Sequence, residues 1–382
     1  MKIRSFRYEN RSSGWKTDWI ELNGFNLLVG ASGVGKTRIL MALMDLKDIA
    51  LGNTSDGVRW TLHFELNGEV IHWEGAFSQS GQKSTLGPVS EPEPSTKVPL
   101  EFETLTVDGV QICSRKGNMV TFKGEELPVK LSPTTSVLKL LDEDETIGAI
   151  SKAFKNRLML ASAEPESFYS HITPLLYPHF QTLESIRESE LDSLTRLAMA
   201  YQNQRDIYHQ IVEDFRSIFP RVLDTSIQCK FNSNITVRSG QFGETQASDL
   251  GFYIQERGVD HWLHHKQISS GMWKTLLLLV DHYLCANNSV ILIDEIENSL
   301  GVNCIDILGE LVNSDRGLQY VITSHHPYII NNVPISHWKI VVRKDGVVQT
   351  HMPDEFGLGS SKHEAFMQLI QLEAFTEGVL DS

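Results

Sequence analysis

The 382-residue sequence is 41% hydrophobic and carries 34 basic against 48 acidic side chains, a net charge of −14. A chain of this size can bury a sizeable core in one large domain or two smaller ones, and its overall field gives no attraction to phosphate backbones; nucleic acid would need a local basic patch. Four scattered cysteines (Cys113, Cys229, Cys285, Cys304) without C-x-x-C spacing argue against zinc and against a disulfide framework and fit a reducing cytoplasm. The N-terminus lacks an apolar signal core, and no apolar run approaches the ~20 residues that span a bilayer.

Alternation over "KIRSFRYEN" and the continuous apolar run closing "WIELNGFNLLVG" predict strands, the second buried and ending at Gly30. Residues 34–49 place Ile39, Leu40, Leu43, Met44 and Leu46 on one face of a helix. Residues 58–77 alternate on either side of Asn67-Gly68, the strongest short hairpin signal. A meander therefore follows the first helix. A loop rich in Ser, Gly and Pro at 78–99 interrupts it, and strands resume at "LEFETLTVDGVQICSR" and "NMVTFKG".

From about 135 to 219 the periodicity is helical, through "TIGAISKAFKNRLML" and "LDSLTRLAMAYQNQRDIYHQIVEDFRSIF". Residues 141–224 hold 8 basic and 14 acidic side chains, the balance of a solvated face and not of a DNA-binding arm. Strand-like alternation returns over 226–258, and from 268 a helix, a buried strand, a helix and a further buried strand follow. The C-terminal "HEAFMQLIQLEAFTEGVL" is amphipathic through Phe366, Leu369, Ile370 and Phe375, suited to closing a core or docking a partner. These shifts divide the chain into 1–134, 135–225, 226–352 and 353–382.

Residues 30–37, Gly30-Ala31-Ser32-Gly33-Val34-Gly35-Lys36-Thr37, satisfy G-x-x-x-x-G-K-[ST] between an apolar strand and a helix. The three glycines suit a tight phosphate nest, and amides at the helix start, with Arg38 in the same first turn, face the phosphates. Lys36 is placed for the β and γ oxygens and the Thr37 hydroxyl for Mg²⁺.

In "SVILIDEIEN" four apolar residues end in Asp294 and Glu295, which puts both carboxylates at the carboxyl end of a buried strand, where open α/β sheets bind ligands. Two adjacent acids there call for a compensating cation. Asp294 is the expected Mg²⁺ partner and Glu295 the polariser of the attacking water. Glu297 reads equally as a further acid of the site or a solvated residue. The next strand, "LQYVITSHHP", ends in two histidines, and His325 is the better γ-phosphate sensor because Pro327 then turns the chain. His261, His264 and His265 have no carboxylate at a persuasive ligand spacing and are read as non-metal. Upstream, Ser269-Ser270-Gly271 runs into Met272-Trp273 and a leucine-rich stretch, a helix start with a serine cap.

With these four elements in order the chain resembles the ABC-type ATPases of the SMC, RecF and OLD groups, and within them the short ATPases of OLD-like bacterial anti-phage defence systems. The resemblance reads "GASGVGKT" as Walker A, "ISSGMWKTL" as the signature motif, "ILIDEIENSL" as Walker B and "ITSHHPYII" as the His switch. It implies an α/β fold, an ABC-type ATPase head whose P-loop NTPase sheet carries an N-terminal antiparallel β-meander, plus a helical insert at 135–225. It also implies ATP and Mg²⁺ as cofactors, and a head-to-tail dimer or higher oligomer in which Ser269, Ser270 and Gly271 of one copy meet the γ-phosphate held by the other. Three positions depart from the family pattern. Met272 stands where a polar residue usually follows the signature glycine, Gly301 stands where the D-loop usually carries Asp, and no Q-loop glutamine is evident, Thr135 being only a stand-in. Slow or partner-dependent hydrolysis is the corresponding expectation.

The resemblance supplies an ATPase and no second tool: no Toprim nuclease domain fits after residue 360, and no HNH or D-x-K pattern is defensible. The leading reading is a cytoplasmic ATPase sensor or scaffold that controls a separate effector, such as a nuclease or toxin, in anti-phage defence. The alternative is a RecF- or SMC-like DNA repair ATPase that clamps DNA; DNA stays open as a partner but draws no support from the charge. No membrane partner is expected, and the long insert speaks against a transporter subunit.

Overall fold

The computed structural model describes residues 1–80, 97–127, 131–161, 172–239, 243–299, 315–359, 362–372, 375 and 378. The chain opens with β1 (Lys2–Asn10), β2 (Trp15–Thr17), β3 (Ile20–Glu21), β4 (Phe25–Val29) and helix α1 (Lys36–Ala50). A meander follows, made of β5 (Val58–Leu66), β6 (Glu69–Phe77), β7 (Leu100–Val107), β8 (Val110–Lys116), β9 (Met119–Phe122) and β10 (Glu125–Glu126). Helices α2 (Val137–Leu140) and α3 (Glu145–Arg157) lead into strand β11 (Leu158–Leu160). Next come α4 (Thr173–Leu176), α5 (Leu183–Arg187), α6 (Ser193–Asn203) and α7 (Arg205–Ile218). Strands β12 (Val222–Ser239), β13 (Gly243–Glu256) and β14 (Leu263–His264) precede α8 (Ser270–Leu284). The chain closes through β15 (Val290–Ile293), α9 (Ile296–Ser299), β16 (Gln319–Thr323), α10 (Pro327–Asn332), β17 (Trp338–Lys344), β18 (Val347–His351) and α11 (Lys362–Leu369).

Two compact units result. The first comprises Met1–Leu160, Asn288–Asp294 and Gly317–Ser382; the second comprises Ala161–Asn287 and Glu295–Arg316.

The first unit is built on one 15-stranded sheet in the order β10-β9-β8-β7-β6-β5-β1-β2-β18-β17-β4-β16-β15-β11, with β3 paired to β1. Strands β17, β4, β16, β15 and β11 run parallel, and β1 with β5 to β10 forms the antiparallel flank. The α/β expectation of a P-loop sheet with an N-terminal meander is what the chain forms. In the parallel part Leu27 pairs with Ile322 and Ile322 with Ile293, which brings the carboxyl ends of β4, β16 and β15 into line. All five residues of β4 and of β16 are buried, as near-continuous apolar parallel strands must be.

The meander turns on pairs of left-handed residues. Asn67 and Gly68 (φ 53° and 91°) join β5 to β6, and Asp108 and Gly109 (48° and 80°) join β7 to β8, the type I′ geometry that matches strand twist. Its inner face is aromatic: Trp60 and Trp73 lie 5.0 Å apart, and Phe154 of α3 meets Phe64 and Trp73 edge-on at 5.5 and 5.2 Å. Glu103 is fully buried on this face, where it accepts from the Trp73 indole (2.9 Å), the Val137 amide (2.8 Å) and the Ser136 hydroxyl, so one carboxyl group ties β6 to the start of α2. Burial pushes its pKa above the ordinary carboxylate range. The Thr135 carbonyl, just before α2, accepts from Arg115.

Two local readings differ from the structure. The helical pattern expected through Leu160 stops at Arg157, because Leu158–Leu160 add a parallel edge strand along Val290–Leu292. The hairpin of β17 and β18 is an additional element that joins β4 on one side and β2 on the other.

In the second unit β12, β13 and β14 form an antiparallel sheet. The helical stretch expected from Leu191 breaks at Gln204 (φ −138°, ψ 64°) into α6 and α7. Both pack against α8, with Ser193 donating to Asp281 (2.6 Å) and Tyr283 to Asp214 (2.5 Å). The last carbonyls of α8, which have no partner within the helix, are taken by guanidinium groups: Arg187 bonds the Tyr283 carbonyl (3.0 Å), and Arg316 those of His282 and Cys285. Burial, reinforced by these two cations, pushes the His282 imidazole down to about 4. Cys113, Cys229 and Cys285 form no disulfide among the described residues; Cys304 lies outside them.

Candidate nucleotide-binding site

The sheet gives up β4 at Val29, and the chain passes through residues 30–35 before α1 begins at Lys36. Gly30 needs its missing side chain, since a Cβ there would lie 2.5 Å from the Val341 carbonyl oxygen on the neighbouring strand. Gly33 and Gly35 have φ of 83° and 119°, in the region that favours glycine. Gly35 is the N-cap of α1 and offers no side-chain cap, and the first turn has no acidic residue. The amides that open α1 and the positive end of its dipole are thus set out for an anion.

Lys36 is buried, and its ammonium donates to the carbonyls of Gly30 (2.7 Å) and Ala31 (2.8 Å). The charge is held inside the loop whose ligand it would bind. Ser32, Gly33, Thr37 and Arg38 are exposed, Ala31 is half-buried, and Val34 packs into the core. The C-terminal segment touches this loop. The Gly378 carbonyl accepts from the Arg343 amide at 2.8 Å, and a Cβ at Gly378 would lie 2.1 Å from a Val34 methyl.

Thr37, at the second position of α1, donates to Oδ1 of Asp294 at 3.0 Å. Thr323, the last residue of β16, donates to the same oxygen at 2.7 Å. The structure therefore brings together the two residues read as Mg²⁺ partners and adds Thr323, to which the sequence reading gave no role. A hydroxyl and a carboxylate, beside an anion-binding loop, form an all-oxygen donor set that fits Mg²⁺ completed by phosphate and water. Among the described residues no cluster of three or more His, Cys, Asp or Glu side chains could hold a metal ion by itself.

Glu295 is exposed and adopts φ 46°, an uncommon conformation for a non-glycine residue at a strand end. Glu297 is half-buried in α9. Beyond β16, His326 caps α10, its Nδ1 accepting from the Tyr328 amide at 3.2 Å, while His325 stands exposed ahead of it. Of the signature residues, Ser269 caps α8 by accepting from the Met272 amide (3.2 Å), and Ser270 is exposed. Among the described residues, a Cβ on Gly271 would meet nothing within 4 Å. In the D-loop reading, Leu300 and Gly301 lie outside the described residues.

Residues 126–331 match the protein family described as "AAA domain, putative AbiEii toxin, Type IV TA system", which is more than half of the chain. The chain belongs to this family. The matched span of this AAA protein takes in α8, Asp294, Glu295 and His325; the phosphate loop precedes it and rests on its own eight residues and their geometry. Its order of motifs resembles that of the ABC-type ATPases of the SMC, RecF and OLD groups. Among solved structures the AAA protein is similar to an SMC head bound to the C-terminal winged-helix domain of ScpA, at 11% identity and TM-score 0.48, covering 92% of this chain and 97% of that one. It is also similar to the SMC head domain from Thermotoga maritima, at 12% identity and TM-score 0.41, covering 92% and 99%. No curated protein matches it. Among the described residues no helix of the AAA protein is long and apolar enough to cross a membrane.

Proposed function

We propose that this protein is an ATP hydrolase in which Mg²⁺ and ATP are sandwiched between two copies arranged head to tail, and that nucleotide state controls a separate effector protein in anti-phage defence. The observation that supports it most is the convergence of Thr37 and Thr323 on one oxygen of Asp294, at the mouth of a loop that already contains a buried ammonium. Lys36 and the α1 amides would hold the β and γ phosphates, and Thr37 and Asp294 would hold the metal, which supplies charge neutralisation on the transferring group. Glu295 would orient the attacking water, and His325 would sense the γ-phosphate.

The second copy enters through α8. Gly271 lies in the first turn of α8, and among the described residues a Cβ there would meet nothing within 4 Å, so they give no steric reason for glycine. Close approach of a partner's γ-phosphate to Ser270 and Gly271 supplies one. The departures at Met272 and Gly301 support slow or partner-stimulated turnover. The effector reading draws on the family's description, which names a putative toxin of a toxin–antitoxin system, a two-component arrangement. The setting proposed is the cytoplasm.

The test is light scattering of the Glu295→Gln protein with Mg²⁺ and ATP. A stable dimer is expected, since hydrolysis would be blocked with binding intact. A protein that stays monomeric at saturating ATP would count against the scheme.

A further inference from the structure

The route from the β12–β13–β14 sheet to α8 is fixed by side chains. The β13–β14 ladder ends at the pair Tyr253 and His264. One residue further, the Phe252 amide donates to Nδ1 of buried His265 (3.3 Å) instead of to a backbone carbonyl, which lets the chain leave the sheet. His264 acts similarly: its Nδ1 accepts from the Lys266 amide (3.3 Å) and its own amide donates to the Gln267 side chain (2.9 Å), shaping the single turn His265–Gln267. Ser269 then caps α8.

On the helix side, the Trp273 amide closes the first helical turn on the Ser269 carbonyl at 3.0 Å. Its indole lies face to face with the His265 imidazole, the centroids 4.6 Å apart and the planes at 21°, with Phe252 at 6.5 Å on the same cluster. One ring thus reads the end of the sheet through a hydrogen bond and the start of α8 through a stack. Held at its fourth residue, the first turn of α8 has little freedom to swing the exposed Ser270.

We propose that His265 is a positioning residue for the composite nucleotide site: its stack on Trp273 aims Ser270 and Gly271 so that the second copy's γ-phosphate meets an already oriented turn. This rests on the head-to-tail reading above. The ring contributes by preorganisation, which lowers the ordering cost of association without adding a contact to ATP. Nucleotide binding by a single copy, which uses Lys36 and Thr37, should not depend on it.

Two variants in the Glu295→Gln background separate the ring from the acceptor. His265→Asn keeps an oxygen where Nδ1 accepts the Phe252 amide and removes the stack; His265→Phe keeps the stack and removes the acceptor. ATP affinity is measured at protein concentrations where the chain is monomeric, and the dimerisation constant in saturating Mg²⁺ and ATP by light scattering. His265→Asn is expected to weaken dimerisation by about fivefold to a hundredfold, the equilibrium equivalent of one lost aromatic pair in each of the two copies, with monomer ATP affinity unchanged and His265→Phe close to the parent. Failure of the parent itself to dimerise overturns the head-to-tail reading and this inference with it. A dimerising parent with an equally strong His265→Asn dimer overturns the positioning role alone. An equal loss in both variants, or a parallel loss of monomer ATP affinity, shows a general structural role and also overturns it.

Discussion

Thr37 and Thr323, 286 positions apart in the chain, donate to the same carboxylate oxygen of Asp294, at 3.0 and 2.7 Å. The Thr37 hydroxyl is the expected metal ligand, and Thr323 orients the carboxylate from the side of the intervening strand. Orienting partners of metal ligands typically matter by 10–100-fold in affinity. Thr323→Val should therefore weaken the Mg²⁺-dependent part of ATP binding by about 10–100-fold. Asp294→Asn should remove that part while leaving ATP binding in EDTA unchanged. Titration calorimetry with and without Mg²⁺ checks both; an unaltered Thr323→Val protein would remove Thr323 from the site.

How much of this was legible in the sequence follows from the range of each interaction. The phosphate loop was readable because eight consecutive residues between a buried strand and a helix carry it. Asp294 was readable because an acid at the end of "VILI" has few structural uses. The role of Thr323 was not, because it depends on β16 lying between β4 and β15, a pairing order that no local pattern encodes. Glu103 was hidden in a similar way: a bulge opposite Ala76 and Phe77 shifts the alternation of β7, so that Leu100 and Glu103 both point inward. Leu158–Leu160 is too short for periodicity to separate strand from helix. The β17–β18 hairpin was within reach, since Asp345-Gly346 (φ 50° and 79°) has the same turn chemistry as Asn67-Gly68.

Lys36→Ala tests the loop directly. In the wild type, ATP at about 100 times its dissociation constant should stabilise the fold by about 2.7 kcal/mol. The variant loses both the phosphate cation and the two bonds to the Gly30 and Ala31 carbonyls. Its melting temperature should not respond to ATP, with a cooperative transition retained. A normal ATP-induced shift would mean that the nucleotide binds elsewhere.

Gln319 joins the two halves of the large sheet. Its side-chain oxygen accepts the Ile3 amide (2.8 Å), and its nitrogen donates to the carbonyls of Ile3 and Asn23 (both 2.7 Å); the two bonds to Ile3 are buried and the one to Asn23 is part-buried. The side chain acts as a short segment of strand between β1 and β16. Gln319→Leu conserves much of the volume but strands a buried amide and its neighbours, and a buried unsatisfied group costs about 1–3 kcal/mol. A loss of about 2–3 kcal/mol in denaturant unfolding is expected. A loss below about 0.5 kcal/mol, the level of a neutral surface change, would show that the bridge has no structural weight.

His282 gives the second unit a defined acid sensitivity. Its folded value of about 4 lies below the ordinary 6.5, because burial and the neighbouring Arg316 and Arg187 disfavour the charged ring. Between those two values the unfolded chain takes up a proton that the folded chain refuses, so the unfolded state is favoured as pH falls. The contribution is fully present above 6.5, is lost progressively as pH drops toward 4, and amounts to about 3 kcal/mol in total. His282→Gln keeps a polar side chain and removes the titration. The stability difference between wild type and variant, from urea unfolding at several pH values, should be flat above pH 7 and turn against the wild type between 6.5 and 4. Parallel pH profiles for the two proteins would show that His282 takes its proton equally easily in the folded state.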